Sequence, residues 1–376
     1  MSLDMKSFFV IILLSAAVVF TVSGCGSSTS TTASYDVTGT VSWEAFDNAV
    51  LSGVVVTLEG STQTTTTDAN GQYTFSDVED GTHTISFYRT GWTFYPTSES
   101  ITVDGAALTQ NATAELTDWE IVDLDISSNL SAAYVADTFG TTIVVLGGES
   151  GQLHYDLGAA GDGWVNASYG SGASGASPTD ETFTVFSYSD SAIITMSGQT
   201  GIYRYHYVLT GTWEVDAVNS VDGFAYLDIN PSAGYMVSTN NELQDISSVD
   251  LTTIETDSIV SRVDGNDDKV FIVGPSGYFA SSSNGGTSWS AVTLSPQQNL
   301  TDVTVVTIGG GDTTTSSLWI VGADGTIWQS TDDGVTWQLK AEGIPATLGG
   351  VASSGYELAD MKTYIVGSSG FILKNR

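Results

Sequence analysis

Residues 318–337 read LWIVGADGTIWQSTDDGVTW. The stretch holds an apolar strand from Leu318 to Val321, a Gly-x-x-Gly turn from Gly322 to Gly325 and a second strand through Trp328. A polar turn around Gly334 and a third strand opened by Trp337 complete it. The same plan recurs along the chain in IVVLGGESGQLHY (143–155), IITMSGQTGIYRY (193–205), YMVSTNNELQD (235–245), VFIVGPSGYFASS (270–282) and YIVGSSGFILKN (364–375). Four of these six units continue into a tryptophan-led or related strand, namely GWVNAS, TWEVDA, SWSAV and TWQLK; the third unit has lost its tryptophan.

Units of three or four strands spaced by about 36 to 50 residues predict a β-propeller, because one such unit buries its faces only against its neighbours. The last unit stops at Arg376 directly after its Gly-turn strand, and Asp118-Trp119-Glu120-Ile121-Val122, at the head of the domain, has the missing tryptophan-led pattern. Residues 117–376 are therefore expected to close into a ring of six blades. The long 151–201 and 277–325 intervals leave room for a divergent unit, so seven is the alternative.

Two of the turns carry a sharper motif. Ser330-Thr331-Asp332-Asp333-Gly334-Val335-Thr336-Trp337 resembles, at every defined position, the Asp-box of the bacterial neuraminidase repeat, S/T-x-D-x-G-x-x-W, and Ser282-Ser283-Asn284-Gly285-Gly286-Thr287-Ser288-Trp289 resembles it with Asn for Asp. The resemblance implies a hairpin turn on the blade rim in which the Asp side chain accepts backbone N–H groups and the Trp packs beneath. Ser330, Asp332, Gly334 and Trp337, with Ser282, Asn284, Gly286 and Trp289, are thus expected to be structural. The wider string around residues 321–337 is similar to the propellers of the photosystem II assembly and stability factor family, which bind their partner through an arginine-rich face. Only Arg204, Arg262 and Arg376 fall in this propeller, so the resemblance implies architecture and a protein-assembly surface, not a photosynthetic role.

Upstream, residues 35–116 alternate apolar and polar positions in short runs: VTGTVSW (37–43), SGVVVTLEG (52–60), GQYTFSDV (71–78), GTHTISFYRTG (81–91) and ESITVDG (99–105). Period-2 patterning with frequent turns predicts a small β-sandwich. Gly39, Leu51-Ser52-Gly53-Val54, the Thr67-to-Phe75 run TDANGQYTF, Asp80-Gly81 and Gly91-Trp92-Thr93-Phe94 resemble the carboxypeptidase-regulatory-like, transthyretin-type domains. That resemblance implies a non-catalytic spacer, or an aid to adhesion and sugar binding. Asp68 and Asn70 read as a turn, since a cation wants six to eight oxygens and these offer few.

Lys6 precedes an apolar run from Phe8 to Val22, too short for a comfortable membrane span and long enough for a signal-peptide core. It ends in Val22-Ser23-Gly24-Cys25, which resembles the lipobox of bacterial lipoproteins; Cys25 is the single cysteine of the chain. Residues 1–25 are read as a lipoprotein signal peptide and 26–34, GSSTSTTAS, as a flexible tether. The resemblance implies diacylglycerol on Cys25 and, with Gly26 after it, an outer-membrane address in the cell envelope.

The chain has 43 Asp and Glu against 9 Lys and Arg, a formal charge of −34. Cleavage before Cys25 removes Asp4 and Lys6, so the acidity belongs to the folded part. Such a balance excludes phosphate neutralisation and hence nucleic-acid binding. It does not imply disorder, because 41% of residues are hydrophobic and nine are Trp. Sialidase chemistry would need an arginine triad to hold an anionic sugar, which three propeller arginines and this charge oppose. His83, His154 and His206 are scattered, and Asp264-Gly265-Asn266-Asp267-Asp268 lacks the glycine and closing Glu of a calcium loop. No catalytic residues, cofactor or metal site are implied; the acidic coat is compatible only with weak Ca2+ binding.

The expectation from sequence is an all-β, non-catalytic, membrane-anchored surface or periplasmic lipoprotein whose propeller binds or assembles a protein partner. The alternative is carbohydrate or cell-wall binding by aromatic stacking, with Trp92, Trp213 and Trp328 as candidate platforms. A glycoside hydrolase comes second among the alternatives, because among 43 acids some pair always lies close.

Overall fold

The computed structural model describes residues 33–60, 63–138, 141–156, 158, 163–166, 170–171, 183–189, 193–198, 202–208, 212–219, 226–230, 235–238, 240–245, 252–266, 269–308 and 315–376. The leader, Cys25 and most of the tether lie outside the described residues, as does the side chain of Trp213. The described chain is β-structure joined by turns and short 3-10 segments, with no α-helix among the described residues.

The period-2 runs near the start form two facing sheets. One is built on Ser34–Trp43, flanked by Ala49–Val50 and by Ala112–Leu116, which in turn pairs with Trp92–Tyr95; Gln72–Glu79 and Leu108–Thr109 join the first half of Ser34–Trp43. The other runs Gln63–Thr66, Val55–Glu59, Gly81–Tyr88, Ser98–Val103. Alternate residues point inward, so Val37, Val41, Val56, Leu58, Phe75, Ile85 and Phe94 are buried between the sheets.

Among the described residues, six further sheets follow in chain order. Sheet 1 begins at Leu130–Thr138, sheet 2 at Phe183–Ser189, sheet 3 at Tyr226–Asn230, sheet 4 at Arg262–Asn266, sheet 5 at Leu300–Ile308 and sheet 6 at Leu348–Ser354. Each is an antiparallel meander of four strands, sheet 2 carrying one extra short parallel strand, Gly170–Ser171, at its edge. The first strand of each sheet packs against the first strand of the next, and that of sheet 6 against that of sheet 1, so the sheets form a closed ring. The repeated sequence gives repeated geometry: Ser150, Ser276 and Ser369, which precede the second glycine of their turns, all have φ 56°.

Sheet 6 draws its outer strand from the far end of the domain. Trp119–Ile121 pairs antiparallel with Ile372–Asn375, with Trp119 opposite Asn375 and Ile121 opposite Leu373. Only Thr117 and Asp118 separate that closing strand from Ala112–Leu116 of the sandwich. The sandwich therefore has no linker, and its core runs on into the propeller. Trp43 meets Trp92 edge-on at 5.0 Å and Phe371 at 5.9 Å, and Phe46 meets Phe371 at 5.1 Å. One contiguous apolar cluster contains Val41, Trp43 and Phe94 of the sandwich with Ala341, Ile344, Ile365 and Leu373 of the propeller.

Gly91 tests this junction. Its φ is +83°, and a Cβ there would lie 2.3 Å from the Lys340 carbonyl oxygen and 2.6 Å from Ala341 Cα. Gly105 has a similar φ of +70° but open space around it. In differential scanning calorimetry we expect Gly105→Ala to show only the backbone cost of about 1–3 kcal/mol. Gly91→Ala is expected to add the clash, separating one cooperative transition into a sandwich and a propeller transition. Equal behaviour of the two variants would mean that the junction does not couple the domains.

Candidate functional site

The motif residues come first. Ser330 ends the third strand of sheet 5, Thr326–Ser330, and Trp337 directly precedes the fourth, Gln338–Ala341. Between them Ser330 Oγ donates to Asp332 Oδ1 at 2.8 Å and accepts the Gly334 N–H at 3.0 Å. Asp332 accepts the Thr336 N–H at 2.8 Å on Oδ1 and the Thr336 hydroxyl at 2.6 Å on Oδ2. Burial pushes the Asp332 pKa up, but hydrogen bonds from Thr336, Ser330 and Val335 outweigh it and leave the carboxyl below its ordinary value. Gly334 has φ +80°, and a Cβ would sit 2.6 Å from Phe279 of sheet 4. Trp337 closes the turn by donating its indole N–H to the Gly334 carbonyl at 3.0 Å and packs edge-on against Phe279 at 4.8 Å.

The corresponding turn of sheet 4 is built alike. Ser282 Oγ donates to Asn284 Oδ1 at 2.9 Å and accepts the Gly286 N–H at 2.8 Å, and Asn284 Oδ1 accepts the Ser288 N–H at 3.0 Å. Asn284 returns a bond the carboxylate cannot make, from Nδ2 to Ser288 Oγ at 2.9 Å. Trp289 is half-buried against the cluster that holds Tyr235 and Ile254 of sheet 3. Both turns thus link a sheet to the one before it, and neither presents a free reactive group.

The aromatic platforms are corrected by the structure. Trp92 and Trp328 are 7% and 2% exposed, so neither ring face is open to a sugar. Trp92 packs on Trp43 and donates its indole N–H to the Glu342 carbonyl at 2.8 Å; Trp328 sits in the core between sheets 4 and 5 with Phe271, Phe279 and Leu318. A strand tryptophan one turn from a Gly-x-x-Gly is an inward position of the meander, and burying so large a ring outweighs exposing it. The side chain of Trp213, like Cys25, lies outside the described residues.

Carboxylates are put to framework use. Asp68 Oδ1 accepts the N–H groups of Asn70 and Gln72, both at 2.8 Å, which lowers its pKa, the Gln72 bond most. Asp264 is a strand residue, and its Oδ2 accepts the Val305 N–H of sheet 5 at 2.7 Å. Asp302 of sheet 5 likewise accepts the Val351 N–H of sheet 6 at 2.7 Å. Asp333 joins sheets 5 and 4 through Lys269 at 2.8 Å and accepts the Ser316 N–H at 2.7 Å. The sequence reading missed these intersheet acceptors; the available signal for Asp264 and Asp302 was an Asp in the first strand of a repeat, where a buried carboxylate is costly unless it is bonded. Among the described residues no three or more His, Cys, Asp or Glu side chains are grouped to hold a metal ion.

A cleft of about 620 Å³ lies at the junction of sandwich and propeller. Ser52 and Arg89 form its sandwich wall, and Gln298, Asp324, Thr326 and Glu342 its propeller wall. Arg89 donates from Nη1 to the Ser52 carbonyl and lies against Gly343. Burial lowers its pKa, and the charge of Glu342 raises it in opposition.

The Asp332 turn gives a direct test. Asp332→Asn can reproduce the Asn284 pattern and should cost under ~1 kcal/mol, and Asp332→Ala, which leaves donors unpaired, about 1–2 kcal/mol, by urea denaturation. Because the folded state lowers this pKa, the carboxylate's contribution is complete above the ordinary Asp value of about 3.9 and disappears as pH falls through the lower folded value. The Asn variant should therefore lose less stability than the native protein on acidification.

No curated protein matches the chain in sequence. Among solved structures, YCF48 bound to D1 peptide is similar over 69% of this chain and 97% of that one, with 14% identity and a TM-score of 0.46. YCF48 from Cyanidioschyzon merolae aligns over 69% and 99% of the two chains, with 13% identity and a TM-score of 0.43. The WD40 β-propeller domain of Doa1 aligns over 68% and 95%, with 10% identity and a TM-score of 0.47. Residues 36–117 match the carboxypeptidase regulatory-like domain family.

Proposed function

We propose that this protein is a non-catalytic, exported lipoprotein, anchored in the cell envelope through Cys25, whose Asp-box propeller binds or assembles a protein partner. The observation that carries the reading is that the motif side chains are consumed by the framework: Ser330, Asp332, Ser282 and Asn284 saturate turns, and Trp92 and Trp328 fill cores. What remains for function is a rigid, broad, acidic surface. A glycosidase acid needs a carboxyl pKa held above its ordinary value. Among the described residues, the carboxyls displaced, Asp68, Glu115, Asp332 and Asp333, are all displaced downward.

Two measurements test the proposal. Cells fed a tritiated fatty acid should label the protein, and Cys25→Ala should abolish the label and release the protein from the membrane fraction. Crosslinking of the tagged lipoprotein in intact cells should recover one reproducible protein partner. Label on the Cys25→Ala chain removes the anchor, and repeated crosslinking without a partner removes the platform.

A further inference from the structure

The junction cleft deepens the partner-binding proposal and depends on it. Three observations meet there. First, the cleft is walled by both domains, so it exists only in the joined molecule. Second, Asp324 occupies the turn position that holds Ser150, Ser276 and Ser369 in sister repeats, and it has no hydrogen bond or ion pair to any described residue. Its carboxylate is exposed at the cleft, and its turn differs from those of the three serines, which have φ 56° where Asp324 does not have positive φ. Third, Thr326, two residues on, is 2% exposed, lines the same cleft, and its buried hydroxyl has no hydrogen-bond partner.

The neighbouring cation does not occupy Asp324. Arg89 donates to the Ser52 carbonyl on the opposite wall and feels the charge of Glu342, and its buried Nε has no hydrogen-bond partner. On the propeller wall this leaves Asp324 as an unengaged negative charge. The net charge of −34 draws cations toward any such opening and disfavours anions.

We propose that this cleft receives an arginine or lysine side chain of the protein partner, with Asp324 as its ion-pair acceptor, the Thr326 hydroxyl as a second acceptor, and Arg89, held on the Ser52 carbonyl, on the facing wall. Sandwich and propeller would then read the partner together.

The probe is a fluorescein-labelled Gly-Ser peptide containing two arginines, against the same peptide with citrulline, which keeps the shape and loses the charge. Binding to the full-length protein is followed by anisotropy at 0.15 M salt. We expect the arginine peptide alone to bind, Asp324→Asn to weaken it about tenfold, and Thr347→Trp, which fills the cleft without changing charge, to do the same. Asp104→Asn, an equal charge change on the exposed sandwich surface, should leave binding unchanged. Equal weakening by Asp324→Asn and Asp104→Asn would reduce the effect to net charge and overturn the site. Binding of the citrulline peptide, or absence of arginine binding, would overturn it too. The cellular crosslink separates this proposal from the one beneath it. A partner captured as well by Asp324→Asn as by the native chain refutes the cleft and leaves the platform standing; no partner on the native chain refutes the platform itself.

Discussion

The structure depends on the packing of Phe371 against Trp43 and Phe46, beside the strand that closes the ring. A propeller gains stability only when its last sheet meets its first, and closing a loop of this length carries a chain-entropy cost that local contacts must offset. Here the closing strand, Trp119–Ile121, leaves the sandwich after two residues, and the Thr117 N–H is bonded to the Gly91 carbonyl at 2.9 Å on the way. The sandwich thus holds the closing strand in place, and the rings of Trp43, Phe46, Trp92 and Phe371 fix the sandwich to the sheet being closed. Truncating a buried aromatic of this kind costs about 3–5 kcal/mol. A change at Phe371 therefore acts on ring closure and on domain docking together, because they share one core.

Charge is arranged around the same seam. A chain at −34 repels itself, and its few cations matter by position more than by number. Lys340 pairs with Asp118 at 3.2 Å, Lys374 with Glu120 at 3.3 Å and Arg376 with Glu115 at 3.3 Å. All three acids lie on the stretch that ends the sandwich and begins the closing strand. These pairs are partly exposed and contribute at most about 1 kcal/mol each, so they bias the seam without holding it. The carboxylates with more consequence are those turned toward the next sheet: Asp264 and Asp302 each take a backbone N–H from it, converting negative charge into directed contacts between blades.

The sequence displayed what is periodic and hid what is particular. The apolar run and glycine turn around residues 318–325 showed the meander because each repeat states the same constraint again, and Trp119 showed the closure because one unit lacked its outer strand. The sandwich strand Gln63–Thr66 was not visible: it is polar on both faces, sits at a sheet edge and has no alternation to read. The role of Trp92 was misread for a different reason. Its ring is buried by residues near 340 and 371, and a contact across some 250 positions leaves no trace in local pattern. The intersheet aspartates were lost among 43 acids, since composition that predicts a solvated coat also conceals the few carboxylates turned inward.

The shared core also settles how the sandwich should be regarded mechanically. Hinges form where few apolar contacts are buried and the backbone is solvated; the junction has the reverse character, with Trp43 and Phe371 each 2% exposed. The strand Ser34–Trp43 begins beside Glu79 and ends in that junction, an arm of about 33 Å at some 3.3 Å per residue. The chain that enters the sandwich at Ser34 is therefore carried into the propeller through one stiff strand, with no solvated hinge at the junction.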